Sequence, residues 1–255
     1  YNEAAYCHLA NGGADGEGFD IDIGCRNILF RYNYSHDNDG GGILLCNTGG
    51  QVTLCDEDGN VRKDENGKVV IEKGRAEWSD VFIKNNVFAR NGKKKGNFPA
   101  LMHVAGSCEN VYFENNTVIF TDNVSQPLMT VTKWDSEYDS SSPNKFYFKN
   151  NVFLSPVPNE SYLRYTYMGE DYLFLSNVYY NMSESFAEVA SDTKAFSFDP
   201  LIGIPDDAKG YEKIYDYVPG ERKCSEGALL LKGRNLYDAA GNKVTGRRYF
   251  GAIVA

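Results

Sequence analysis

An asparagine that returns to the same place in a short apolar pattern constrains this chain more than any other feature. Five segments share the pattern: NILFRYNYS (27–35), DVFIKNNVF (80–88), NVYFENNTV (110–118), KFYFKNNVF (145–153) and DYLFLSNVY (171–179). Each has alternating apolar residues, then one or two Asn, then apolar residues again. With Asn33, Asn86, Asn116, Asn151 and Asn177 in register, the intervals are 53, 30, 35 and 26 residues. Self-similarity on that scale means a solenoid or a propeller. The recurring strands are short and rich in Val, Ile, Phe and Tyr, and no stretch carries a 3.6-residue amphipathic period, which favours stacked parallel strands. An Asn amide both donates and accepts, so it pairs with the same Asn one coil away, about 4.8 Å distant, and it tolerates the left-handed turn. The expected fold is all-β, a right-handed parallel β-helix (solenoid).

The coils are expected over residues 1–195. The 53-residue interval is explained by an insertion at 56–75, where Asp58-Gly59 and Asn66-Gly67 mark turns in a charged stretch and predict a protruding hairpin. One more repeat precedes the five, because YCHLANGG (6–13) matches YSHDNDGG (34–41) at an offset of 28. That offset stacks His8 on His36. The pattern stops after Phe196, so residues 196–255 are expected to form a C-terminal capping segment of the same domain, covering an otherwise open sheet edge. The first residues enter a repeat midway, which leads us to expect upstream coils, supplied by an N-terminal segment or a second chain.

With 255 residues, 42% of them hydrophobic, the chain suffices for one elongated domain. A net charge of −9 makes nucleic acid a poor partner, and the short basic run Lys93 to Lys95 is expected to be a solvated loop. No stretch nears the roughly 20 apolar residues of a membrane span, and no signal peptide opens the chain. Six cysteines without a CxxC pair point to neither a disulfide scaffold nor zinc. Cys46 and Cys55 either pair or stay as single thiols.

The chemistry concentrates in ADGEGFDIDIG (14–24) and SHDNDGGGILLC (35–46). Aligning Gly-Phe-Asp-Ile-Asp with Gly-Ile-Leu-Leu-Cys gives an offset of 24, which sets Asp15 beside Asp39, Asp20 beside Leu44 and Asp22 beside Cys46. Asp20 and Asp22 then point outward while Phe19, Ile21, Ile43 and Leu45 fill the core. Neighbours on one face of a strand lie about 7 Å apart and neighbours on adjacent coils about 5 Å. Inverting glycosidases hold their carboxyls about 6.5–9.5 Å apart and retaining ones about 5–5.5 Å. Crowded acids resist one another's ionisation, so one is expected to keep a proton and serve as general acid. Turn formation alone also explains Asp37, Asn38 and Asp39. It explains Asp20 and Asp22 less well, because turns do not require two carboxylates alternating with core residues. Aligning residues 100–104 with the earlier strands puts His103 in the same outward row as Asp20 and Leu44. Candidate substrate-binding residues are Glu17, Asp20, His36, Asp37, Asp39 and His103, and Trp134, Tyr162, Arg164, Tyr165 and Tyr167 are candidates for an aromatic platform.

The coil pattern resembles the right-handed parallel β-helix carbohydrate-active enzymes, and the closing DPL, Pro-Gly and final Gly-Ala elements resemble those of bacterial secreted β-helix proteins. That resemblance implies a carbohydrate substrate and an extracellular or cell-surface location. Within the group, Asp15 and Asp22 in DGEGFDID are similar to the catalytic pair of the lacto-N-biosidase family of glycoside hydrolases. The likeness implies a retaining mechanism with Asp15 as acid/base and Asp22 as nucleophile. Two other readings stand beside it. In a calcium-dependent polysaccharide lyase, Asp15, Asp20, Asp37 and Asp39 would hold Ca²⁺, but Arg26 and Arg31, the basic residues at hand, flank the Asn ladder and not the acids. In a non-catalytic glycan-binding β-helix, Asp20 and Asp22 would be replaceable.

Overall fold

The computed structural model describes residues 1–9, 15–47, 50–74, 78–94, 100–132, 144–159, 172–183 and 191–217. These are nearly all β. The chain visits three parallel sheets in turn. After β1 (Glu3–Ala5), the first circuit is β2 (Asp20–Ile21), β3 (Arg26–Arg31) and β4 (Tyr34–His36). The second is β5 (Ile43–Asn47), β8 (Ser79–Lys84) and β9 (Val87–Ala89), interrupted by β6 (Gly50–Thr53) and β7 (Ile71–Gly74). The third is β10 (Met102–Gly106), β11 (Glu109–Glu114) and β12 (Thr117–Ile119), and the fourth β13 (Met129–Thr132), β14 (Asn144–Lys149) and β15 (Val152–Asn159). Then come β16 (Tyr172–Leu175), β17 (Val178–Met182) and β18 (Phe196–Ser197). Sheet I runs β1-β4-β9-β12-β15-β17-β18, sheet II β2-β5-β10-β13 and sheet III β3-β8-β11-β14-β16. Sequential circuits pairing in parallel are compatible with a β-helix.

The predicted asparagine register is the observed one. Nδ2 of Asn33 donates to Oδ1 of Asn86 (3.2 Å), Asn86 to Asn116 (3.0 Å), Asn116 to Asn151 (3.3 Å) and Asn151 to Asn177 (2.9 Å). The row starts at Asn2, which donates to Asn33, and ends on the carboxylate of Asp192. One detail differs from expectation: the left-handed turn falls on the residue before each ladder Asn, namely Tyr32, Asn85, Asn115, Asn150 and Ser176. In the Asn-Asn pairs the first therefore makes the bend and the second makes the ladder.

Inward residues alternate with outward ones. Val81, Ile83, Val111, Phe113, Phe146, Phe148 and Phe174 from sheet III meet Phe88, Val118, Phe153 and Tyr179 from sheet I and Ile43, Leu45, Met102, Val104 and Met129 from sheet II. Burying each such side chain contributes about 1.5–3 kcal/mol. The outer face of sheet III carries a stack of Phe82, Tyr112 and Tyr147, with centroids 4.8 and 4.9 Å apart. Face-on stacking leaves only ring edges to solvent.

Two expectations change. The first repeat is offset by 31 residues, not 28, since Glu3 pairs with Tyr34 and Ala5 with His36. His8 therefore stands against Asp39, not on His36. The insertion is a hairpin, but its arms start earlier, with β6 antiparallel to β7. Within it, turns at 56–59 and 64–67 place Gly59 and Gly67 at positive φ, as Asp-Gly and Asn-Gly require. Cys46 and Cys55 are not bonded to each other.

After β18, residues 198–217 turn back along the outer face of sheet I, ending in a 3-10 helix (Tyr211–Tyr217). Ile202, Ala208, Ile214 and Tyr217 pack there on Tyr34, Val87, Ala89, Ile119, Val152, Leu154 and Val178. This strap explains why sheet I is apolar on both faces. Residues 218–255 lie outside the described residues.

Candidate active site

On the outward side of sheet II, Asp20 pairs with Leu44, and Leu44 with His103, the register expected from the Gly and alternation pattern. Gly40 N–H donates to Gly16 O, and Leu44 N–H to Phe19 O, which holds the acidic turn against the next circuit. Ile21 is buried in the core, so Asp20 is turned outward. Asp15 sits at φ 77, a left-handed conformation rare outside glycine. It joins Asp20, Asp22, Leu44, Cys46, His103 and Ala105 around a recess of about 190 Å³.

Asp20 stands at the centre of this acidic group. Its carboxyl is raised from 3.8 to about 6, first because burial disfavours the charge and then because Asp22, Glu17 and Asp15 repel it. Asp22 accepts a hydrogen bond from Ile23 N–H at 2.7 Å. No Lys or Arg lines the recess among the described residues.

The other candidate residues go elsewhere. Glu17 and His103 form a pair at 3.1 Å with side chains 3% and 1% exposed. The second ring nitrogen of His103 meets Thr132 Oγ1 at 2.9 Å. His103 thus walls the recess with its ring, while both its nitrogens are engaged by protein groups. Asp39 accepts from Leu9 N–H, which with His8 holds its carboxyl below the usual range. His36 and Asp37 lie under the strap. His36 bonds Asp37 (2.8 Å) and Glu3 (2.9 Å), and its ring stacks on Tyr34. Burial alone would raise Asp37, but hydrogen bonds from His36, Arg90 and Lys93 outweigh it and hold the carboxylate far below its ordinary value. Glu3 also accepts from Gly210 N–H, and Arg90 donates to Pro205 O, so this buried network fastens the strap.

The acids named for calcium are thus divided: Asp15 and Asp20 at the recess, Asp37 committed to cations under the strap, Asp39 to Leu9. Among the described residues no cluster of three or more His, Cys, Asp or Glu is disposed to hold a metal, and that donor set does not fit the ion. The proposed aromatic platform, Trp134 and residues 162–167, lies outside the described residues.

A larger cleft, about 770 Å³, lies between Arg90 and Lys93, residues 120–124, Pro156 and Ile204. Its cations are bound to Asp37, and Asp122 is the carboxylate among its described lining residues. It brings no two acids together, so the smaller recess is the better seat for acid–base chemistry. Sequence reading missed Thr132, Arg90 and Lys93, whose partners stand 29 to 56 residues away. Among the described residues no helix is long and apolar enough to cross a membrane. Comparison with protein-family models and with curated proteins finds no match to this chain.

Proposed function

We propose that the chain is a right-handed parallel β-helix glycoside hydrolase whose reaction centre is the recess of Asp15, Asp20 and Asp22. The observation that carries this reading is the carboxyl of Asp20, pushed up to about 6 by burial and neighbouring acids, beside Asp15 and Asp22 at the same recess. A glycosidase needs one carboxyl that still holds its proton near neutral pH, to protonate the leaving oxygen, and another ionised to drive water or attack the sugar. Asp20 fits the acid, and Asp22 is its partner carboxyl at the recess. Two residues apart and lining one recess, they have Cα atoms about 7 Å apart, a spacing from which their carboxyls can reach the separation of an inverting pair. The lacto-N-biosidase resemblance pairs Asp15 with Asp22 instead and implies retention. The absence of cations from the described lining favours a neutral sugar at the bond that breaks, and speaks against a lyase, which needs a basic residue and a uronate.

The test is a glycan panel with the native chain and Asp15→Asn, Asp20→Asn and Asp22→Asn, reading new reducing ends, unsaturated-uronate absorbance and the product anomer. New reducing ends lost by about 10²-fold or more in Asp20→Asn and Asp22→Asn support the reading. Retention of configuration, with Asp15→Asn inactive and Asp20→Asn active, would transfer the acid role to Asp15. Unsaturated products, or binding of a glycan that is never cleaved by any form, would overturn the hydrolase.

A further inference from the structure

The larger cleft takes no part in the proposed reaction. It spans three circuits, because Arg90 and Lys93 follow β9, residues 120–124 follow β12 and Pro156 lies in β15, and the returning segment adds Ile204. Circuits lie about 4.8 Å apart, so this lining extends about 10 Å along the stack. The volume of about 770 Å³ is that of a small-ligand site, about 300–1,000 Å³, whereas the acidic recess, at about 190 Å³, falls below that range. The recess alone therefore encloses only a small part of a glycan. The two places are close: Gly92 N–H donates to Gly40 O (2.6 Å), and Gly40 N–H to Gly16 O (3.0 Å), beside Asp15.

The cleft carries hydrogen-bonding capacity that the fold does not consume. Exposed Asp122 has no partner among the described residues. Asn123 Oδ1 accepts from Ser125 N–H, which leaves its Nδ2 without a partner among the described residues. Lys93 meets Asp37 but is 44% exposed, and an ammonium has three N–H bonds to give. Beside these groups, Val124 is 46% exposed and Pro156 is exposed, so an apolar strip borders the polar one. The loop that presents them is pinned in advance. Thr121 N–H and its hydroxyl both donate to Gln126 Oε1 (2.7 and 2.8 Å), and Gln126 Nε2 donates to Asn91 O (2.6 Å). A preformed loop lowers the ordering cost of binding.

Charge narrows the ligand. Arg90 spends Nε and Nη2 on Asp37 and Nη1 on Pro205 O. The two cations, Arg90 and Lys93, are matched by Asp37 and Asp122, so the cleft has no surplus charge to draw an anion. Free acceptors and donors beside an apolar strip, without net charge, suit a polyol with C–H faces.

We propose that this cleft is a second saccharide site, which holds a neutral stretch of glycan apart from the ring cleaved in the recess. Its link to cleavage rests on the glycosidase reading. Ring hydroxyls donate to Asp122 and accept from Asn123 and Lys93, while a sugar face lies on Val124 and Pro156.

The test titrates full-length protein carrying Asp20→Asn and Asp22→Asn, so that the probe survives, with cellohexaose, xylohexaose, maltohexaose and chitohexaose, read by amide NMR. At least one should shift Gly92, Asn123 and Val124 saturably, and adding Asp122→Ala or Val124→Asp should weaken that binding by about tenfold or more. Both side chains are exposed, so neither change removes a buried contact. Shifts confined to the recess, affinity unchanged by both substitutions, binding of polygalacturonate alone, or no shift with any probe each overturns the proposal. Shifts at the cleft in a protein whose native form cleaves no glycan uphold the saccharide site and sink the glycosidase.

Discussion

Replacing Asp20 with Asn should make the protein more stable while abolishing its chemistry, and only above the pH at which Asp20 ionises. The carboxyl titrates near 3.8 when unfolded and at about 6 when folded. Because the folded value is raised, the native state binds the extra proton between those values, and stability falls as pH rises from about 4 through 6. The gap sets a ceiling of about 3 kcal/mol at pH 7.5. Asp20 is exposed, however, and solvent screening reduces the expected effect to about 1 kcal/mol. Asparagine matches the protonated acid in shape and carries no charge, so Asp20→Asn should recover that amount at pH 7.5 and close to none at pH 4. Urea unfolding followed by tyrosine and tryptophan fluorescence at both pH values measures it. With a slope of about 2–3 kcal/mol per molar, the midpoint should rise by about 0.4 M at pH 7.5. A variant equally or less stable at pH 7.5, or equally stabilised at both pH values, would refute the electrostatic account of the recess.

Asn116→Ala removes four hydrogen bonds, to Asn86 N and Nδ2, Ile83 O and Asn151 Oδ1, and should lower unfolding free energy by about 3–5 kcal/mol, whereas Asn66→Ala on the exposed hairpin should stay within about 0.5 kcal/mol; paired urea titrations check both. Tyr217→Phe deletes the buried 2.8 Å hydroxyl contact with Tyr34 and should cost about 1 kcal/mol, together with faster amide exchange in residues 198–217 by hydrogen-exchange mass spectrometry. Chelation should leave glycan cleavage unchanged, and a loss restored by Ca²⁺ would contradict the carboxylate-only site.

The parts legible in the sequence are those where one residue type must recur for a backbone reason. A ladder Asn has to meet its copy on the next circuit, so Asn33 through Asn177 could be registered by inspection, and the alternation around Phe19 to Asp22 set Asp20 against Leu44 and His103. The slip from 31 to 28 has the opposite cause: YCHLANGG and YSHDNDGG resemble each other in turn residues, which tolerate displacement, while the true marker was the single Asn2 under Asn33. His36 and Asp37 were read as site residues because their fate depends on Glu3, Arg90 and the strap, partners that no local pattern announces. Glu17 and His103, 86 residues apart, were each singled out but not as a bonded pair. Nothing periodic marks 198–217, whose sequence is shaped by the surface it lies on.

That returning segment also acts as a gauge of length. It leaves β18 and reaches Tyr34 after crossing the intervening strands of sheet I, each step about 4.8 Å. Duplicating or deleting one circuit would move Tyr217, Tyr211 and Gly210 out of reach of Tyr34, Tyr32 and Glu3 by a full step. Stacked architectures commonly grow by copying units, but in this chain a copy would strip the anchor from its far end. The number of circuits between Tyr34 and β18 is therefore fixed by a tether, not by the stack.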